Sequence, residues 1–236
     1  MSVLPHDLQL PDAIVFDLDG TIVDTEWPEF ESIKAVWAHH GLDYRPDQFE
    51  KYIGIPNGSG GWLDELVAAA ESPVDAVAAE ELRRAVRRQL HDGLVPREGI
   101  VELIEEAAAA GVAMAVASNS PQWWVRERLL ALELDHHLPV MISVDTASRA
   151  KPDPAPYTEA CAALGADPLR SVAFEDSVTG VTSAVAAGLY TVACANPLTL
   201  IHDLSAAHRV IGSHAHITLA DLSRGLASRW NSAATI

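Results

Sequence analysis

The sequence predicts an α/β protein built on a doubly wound, parallel β-sheet. Three observations carry that prediction. Short β-rich runs alternate with helix-period segments, the pattern of strand–helix–strand units. Polar or charged residues follow several of these runs, as expected where strand ends open into a ligand crevice. A long strand-free stretch, 25–93, interrupts the alternation after the first run.

The first strand is AIVF (13–16). Helices follow it. Phe30, Ile33 and Trp37 share one helical face, and Gly41 ends that segment. Ser72-Pro73 opens another helix, with Ala78, Leu82, Val86 and Leu90 at four-residue steps. The links of this insertion fall near Asp24–Trp27 and Asp92–Arg97. The expected organisation is therefore a sheet domain over 1–24 and 94–236 and a helical domain over 25–93. EGIVELIEEAAAAG (98–111) is a helix stopped by Gly111, and VAMAVA (112–117) is a strand. PQWWVRERLLALEL (121–134) is a helix with Ser120 as N-cap and Pro121 at its first position. VMISV (140–144) and SVAF (171–174) are strands, and SVTGVTSAVAAG (177–188) is a helix ending at Gly188. YTVACA (190–195) and RVIG (209–212) complete the strands, and a closing helix lies near Leu219–Ala227. The tail from Asn196 onward carries no visible chemistry.

Composition narrows the function. About half of the 236 residues are apolar, enough for one large domain or a domain with an insertion. The net charge of −17 argues against nucleic acid, which needs clustered Lys and Arg. A small anionic substrate stays possible, because a metal ion can invert the local field. The two cysteines, Cys161 and Cys194, have neither paired nor metal-like spacing. That indicates a reducing compartment, and the expectation is cytoplasmic. MSVLPHDLQLPD is not a signal peptide, and no apolar stretch approaches the roughly 20 residues of a membrane span. The expected partner is a small metabolite, with no nucleic acid and no membrane; monomer and dimer stay open.

The strand ends carry the chemistry. The first delivers Asp17-Leu18-Asp19-Gly20-Thr21, the second Ser118-Asn119-Ser120, the third region Lys151-Pro152, and the fourth Glu175-Asp176. Asp17, Asp19, Glu175 and Asp176 would converge, and a hard divalent cation, Mg²⁺, is the simplest neutraliser. Lys151, Ser118 and the helix start after Pro121 add what a phosphate needs. One aspartate could attack phosphorus while another protonates the leaving oxygen.

In these residues the chain resembles the haloacid dehalogenase superfamily of phosphotransferases. DLDGT (17–21), the Ser118 of ASNS, the Lys151 of KPDP and FEDSVTG (174–180) occur in the family's order, over almost the whole chain. The resemblance implies a Rossmann-like core with a small helical cap over the site. It implies Asp17 as a nucleophile that becomes an aspartyl-phosphate. Asp19 would be general acid and then general base, with its backbone carbonyl on Mg²⁺. Thr21, Ser118, Asn119 and Lys151 would hold phosphoryl oxygens. Asp17 and Asp176, assisted by Glu175, complete the implied metal set.

The presence of Asp19 favours phosphate esters over dehalogenation. The nearest subgroup includes β-phosphoglucomutases and sugar-phosphate or phosphoglycolate phosphatases. Glu29 stands where the mutases have a hinge histidine. Asn57, three residues after Gly54, stands where they have a cap arginine. The expected activity is thus Mg²⁺-dependent hydrolysis of a small phosphomonoester, a sugar phosphate first. A hexose-phosphate mutase and a non-catalytic phosphate-binding protein are the alternatives. Other features read as structural: a solvated face of Arg83, Arg84, Arg87 and Arg88; His39-His40 and His136-His137 at helix ends; His214 and His216 without a metal; and one core anchor among Trp123 and Trp124. Trp62, beside GSGG (58–61), either lines the substrate or packs.

Overall fold

The computed structural model describes residues 9–53, 61–200 and 202–233. Its centre is a six-stranded, fully parallel sheet in the order β3-β2-β1-β4-β5-β6. The strands are β1 (Ala13–Phe16), β2 (Ala113–Ala117), β3 (Val140–Ile142), β4 (Val172–Glu175), β5 (Tyr190–Cys194) and β6 (Arg209–Ile211). Each lies within or beside the run that predicts it.

Alternation along the strands gives the sheet two apolar faces. Ile14, Phe16, Val116, Phe174 and Val192 join one cluster. Against them pack α5 (Ile100–Ala109), α6 (Gln122–Ala131) and α9 (Leu219–Ala233). Val15, Ala115, Ala117 and Ala173 point the other way, onto α7 (Ala155–Leu164) and α8 (Val178–Ala186). Phe16 and Phe174 stack at 5.3 Å across the central strand pair, and both are fully buried. Each such burial contributes roughly 1.5–3 kcal/mol.

Among the described residues, 26–91 contain helices only: α1 (Glu26–His39), α2 (Pro46–Phe49), α3 (Trp62–Ala69) and α4 (Ala76–His91). They enclose a cluster of their own around Phe30, Ile33, Trp37, Tyr44, Phe49 and Trp62, joined by Leu198 from the loop after β5.

Several local expectations need correction. Helix α4 starts at Ala76, not at Ser72-Pro73, because the Asp75 side chain caps it, accepting from the amides of Val77 (2.9 Å) and Ala78 (3.1 Å). Its buried positions are Ala79 and Arg83, one residue away from the expected Ala78–Leu82 stripe. Helix α6 begins at Gln122 with Pro121 as its extended N-cap. Ser120 does not cap it; the Gln122 amide donates to Asp145 Oδ2 at 2.7 Å instead. Helix α7 went unforeseen, since the prolines of KPDPAP read as loop and its apolar residues show little periodic contrast. Helix α9 runs to Ala233, beyond the expected end.

Candidate active site

Sheet order reverses direction at β1: its neighbours are β2 on one side and β4 on the other. Such a switch point opens a crevice beyond the strand ends. Asp17 follows β1, and its amide donates to the Phe174 carbonyl at 2.9 Å. Glu175, the last residue of β4, therefore lies beside it.

Lys151 closes this pair from the β3–α7 loop. Its Nζ donates to Asp17 Oδ1 at 2.6 Å and to Glu175 Oε1 at 2.6 Å, and lies 3.2 Å from Tyr157 Oη. Tyr157 also donates to Glu175 Oε1, at 2.5 Å. Glu175 Oε2 accepts from the amides of Asp176 (3.2 Å) and Ser177 (3.5 Å) and from Ser177 Oγ (3.3 Å). Only glycine fits at position 180 over this carboxylate, for a Cβ there would lie 1.9 Å from Glu175 Oε1. Asp176 accepts from Asn196 Nδ2 (2.7 Å) and Thr21 Oγ1 (3.4 Å). Gly20 passes so close, at φ +87°, that a Cβ would meet Asp176 Oδ2 at 2.2 Å.

The electrostatics of this cluster are unbalanced. Asp17, Glu175 and Asp176 present carboxylate oxygens within 4.8 Å of one another, and the Lys151 ammonium pairs with Asp17 and Glu175. Burial, reinforced by Glu175 and Asp19 and opposed by Lys151, pushes the Asp17 carboxyl up to about 8. Burial, Asp17 and Glu175 likewise hold Asp176 well above the usual carboxylate range. Burial alone would lower Lys151, but Asp17 and Glu175 keep it above its ordinary value and protonated. Asp17 Oδ2 is buried without a hydrogen-bond partner among the described residues. Surplus negative charge, hard oxygen donors and one orphaned oxygen fit a divalent cation such as Mg²⁺.

Above the cluster lies a cavity of about 300 Å³. Asp17, Asp19, Ser118, Asn119 and Lys151 line its sheet side; Glu26, Glu29, Phe49, Arg87 and His91 line its helical side. Asp19 accepts four hydrogen bonds there. Thr25 Oγ1 (2.7 Å) and Trp124 Nε1 (2.9 Å) reach Oδ1; Ser120 Oγ (2.6 Å) and Ser118 Oγ (3.4 Å) reach Oδ2.

The structure thus gathers Asp17, Asp19, Ser118, Asn119, Lys151, Glu175 and Asp176 at one place, with Thr21 just beneath. Two of them are employed in ways the sequence did not indicate. Asn119 brackets Lys151 through the backbone, its Oδ1 accepting from Lys151 N (2.9 Å) and its Nδ2 donating to Lys151 O (3.2 Å). Thr21 is fully buried and turned to Asp176 rather than to the cavity.

Sequence reasoning missed Thr25, Trp124, Tyr157 and Asn196, and placed Ser120 at the strand end without giving it a role. The strand-end rule would have found Asn196, which follows β5 after Ala195, so the tail does carry a site residue. The arginine face is not uniformly solvated. Arg83 is 8 % exposed and bonds Glu29 and Glu80, while Arg87 lines the cavity and lies 3.5 Å from Glu29. Trp62 packs in the helical cluster with the Arg83 guanidinium 5.7 Å from its ring. His214 is buried, and no acid or cysteine joins it among the described residues. Gly54, Asn57 and most of GSGG lie outside the described residues. Among the described residues, no helix is long and apolar enough to cross a membrane.

Known proteins similar to this chain identify its family. The haloacid dehalogenase-like hydrolase family matches residues 14–194. A validoxylamine A 7'-phosphate phosphatase of Streptomyces hygroscopicus subsp. limoneus is 30% identical over 81% of this chain and 87% of its own. A phosphorylated carbohydrates phosphatase of Thermotoga maritima is 32% identical over 75% of this chain and 82% of its own. The crystal structure of a HAD family hydrolase from Deinococcus radiodurans, with bound phosphate and sodium, superposes with a TM-score of 0.78 at 28% identity, covering 92% of this chain and 98% of that one. The chain belongs to the haloacid dehalogenase-like hydrolases, and it is a phosphoric monoester hydrolase of that family.

Proposed function

We infer that the protein is a Mg²⁺-dependent phosphatase that hydrolyses a small sugar phosphate through an aspartyl-phosphate on Asp17. The observation that carries this reading is the Asp17 carboxylate itself. One oxygen is fixed by Lys151, the other is buried with no partner among the described residues, and both lie under the cavity that Asp19 lines. The names of the relatives support phosphorylated carbohydrates as the substrate class.

Asp17, Asp176, Glu175 and the Asp19 carbonyl would hold the cation. When bound, it would keep Asp17 ionised and draw charge from the phosphoryl group. In the first step an Asp17 oxygen bonds to phosphorus and the bond to the leaving alcohol breaks. Asp19 delivers its proton to that alcohol oxygen. In the second step water attacks the aspartyl-phosphate, Asp19 takes its proton, and inorganic phosphate leaves with Asp17 restored. Lys151 and Ser118 hold phosphoryl oxygens, Asn119 fixes Lys151, and Thr21 steadies Asp176. Residues 25–93 serve as a cap that closes over the core, 1–24 and 94–236, to exclude water. The setting is a cytoplasm, in keeping with the acidic charge and unpaired cysteines.

A mutase is the less favoured reading, because the hinge position holds Glu29, engaged by Arg83 and Arg87. The test is phosphate release from sugar phosphates, phosphoglycolate and p-nitrophenyl phosphate, with and without Mg²⁺, for wild type and Asp17→Asn. Mg²⁺-dependent release abolished by the substitution supports the phosphatase. Near-normal turnover by Asp17→Asn sinks the mechanism.

A further inference from the structure

The four donors on Asp19 are not equivalent. An indole N–H can only donate, whereas a hydroxyl can donate or accept. Trp124 Nε1, the obligate donor, sits on Oδ1 at 2.9 Å. Both partners of Oδ2, Ser120 at 2.6 Å and Ser118 at 3.4 Å, are hydroxyls that can turn around. The hydroxyl oxygen of a carboxylic acid is its poorer acceptor. A proton on Oδ1 would weaken the indole bond, whereas a proton on Oδ2 can be met by either serine. Oδ2 is also the oxygen on the side of Ser118 and thus of the expected phosphoryl group.

The indole is held firmly enough to impose this choice. The Arg128 guanidinium lies 4.7 Å from the Trp124 ring, and the His91 ring packs against it at 5.1 Å. Arg128 belongs to the same helix, α6, whose start is anchored on Asp145. His91 ends α4, so the helical insertion contributes to the clamp.

We propose that Trp124 is a positioning residue for Asp19: its N–H reserves Oδ1 as an acceptor and leaves Oδ2, beside Ser118 and Ser120, to exchange the proton with the leaving alcohol. This rests on the reading of Asp19 as the acid and base. Nothing in the motif pattern marks Trp124, whose sequence signature is that of a core aromatic.

The test separates orientation from packing by varying the leaving group. The ratio kcat/KM covers the steps through departure of the alcohol. The hexose hydroxyl of a hexose 6-phosphate and the phenol of phenyl phosphate are poor leaving groups that need the acid; the p-nitrophenolate of p-nitrophenyl phosphate is not. Trp124→Phe keeps an aromatic ring but loses the N–H. The expected result is a fall in kcat/KM of about 10- to 100-fold for the first two esters, the scale of one hydrogen bond to a charged group. For p-nitrophenyl phosphate the expected fall is within about 3-fold. If Trp124→Phe melts early, the sulfur isostere of tryptophan, 3-benzothienylalanine, installed at position 124 preserves the shape and removes only the N–H.

Equal losses for all three esters, or no loss, overturn the proposal. Asp19→Asn, run alongside, keeps the two readings distinct. If it shows the leaving-group split and the Trp124 variants do not, Trp124 alone is misassigned. If it shows no split, the acid role of Asp19 falls, and the proposal with it.

Discussion

The molecule builds two networks of acids and bases, one buried and one running from a buried arginine to the surface, and they are built to opposite ends. At the strand ends, Lys151 pairs with Asp17 and Glu175 beside Asp176, and an Asp17 oxygen has no hydrogen-bond partner among the described residues. In the helical insertion, Glu29 and Glu80 face Arg83, Arg84 and Arg87, and the ladder runs from one pair to the next. The first crowds three carboxyl groups around one ammonium, and burial with mutual repulsion pushes Asp17 and Asp176 up, so that their full charge needs something positive to join them. The second meets every acid with at least one guanidinium. An unneutralised surplus in a buried place is costly, so it persists where something arriving from outside completes it. A ladder whose two acids are each met by two guanidiniums needs no cation and holds helices together.

The largest effect should come from attacking the surplus itself. Asp17→Asn keeps the shape of the side chain and removes its nucleophilicity, and phosphate release should fall by about 10³-fold or more. Removal of divalent cations by a chelator should do the same to the wild type. The cation should also raise the thermal midpoint of the wild type, because a ligand that binds only the folded state adds about 2.7 kcal/mol at one hundred times its Kd. An unchanged midpoint in excess Mg²⁺ would mean that the surplus is not a cation site, and the contrast between the networks would collapse.

Arg83→Met tests the other network. It removes the buried guanidinium from Glu29, which keeps Arg87, and from Glu80, which keeps Arg84; breaking a fully buried pair costs about 3–5 kcal/mol. Glu80 is partly exposed, so the lower end is expected. The loss should appear in chemical denaturation, while the thermal response to Mg²⁺ survives. If Mg²⁺ no longer raised the midpoint, the ladder would be part of the cation site rather than a brace.

A smaller change touches the edge of the first network. Asn196→Ala removes the 2.7 Å hydrogen bond to Asp176 Oδ2. Groups that orient metal ligands are worth about 10- to 100-fold in affinity, and about 10-fold in the Mg²⁺ concentration for half-maximal activity is expected. A Mg²⁺ requirement equal to that of wild type would remove Asn196 from the site.

The contrast also explains what could be read from sequence. Parallel strands end where ligands bind, so Asp17, Glu175 and Asp176 were legible from position alone, and Asn196 would have been by the same rule. Trp124 was not. Its partner, Asp19, lies about a hundred residues away in sequence, and Trp124 also suits an ordinary place in a helix, as a core aromatic. The strand-end rule placed Ser120 but not its bond to Asp19. Arg83 misled for a related reason. Four-residue steps of Ala78, Leu82, Val86 and Leu90 mark an apolar stripe, but in α4 the buried stripe is rotated so that an arginine faces inward. Periodicity ranks residues by hydrophobicity, and it cannot foresee that Glu29, on another helix, makes a buried guanidinium tolerable.

His214 shows a third way to bury a titratable group, which is to keep it uncharged. It is 1 % exposed, its ring lies 5.7 Å from that of Phe174, and neither nitrogen has a partner among the described residues. Burial, helped by the positive charge of Arg97, pushes its pKa down to about 3. The unfolded chain takes up the proton near pH 6.5, so between these values it binds more protons than the folded one. The stability that depends on neutral His214 is therefore complete above about pH 6.5 and drains as pH falls toward about 3, at no more than about 1.4 kcal/mol per pH unit. His214→Phe should leave stability at pH 7.5 nearly unchanged and soften the decline between pH 6.5 and pH 5 in urea unfolding. An unaltered acid limb would mean that the decline belongs to the carboxylates. The uncharged group would then sit outside the division between surplus and balance that separates the two networks.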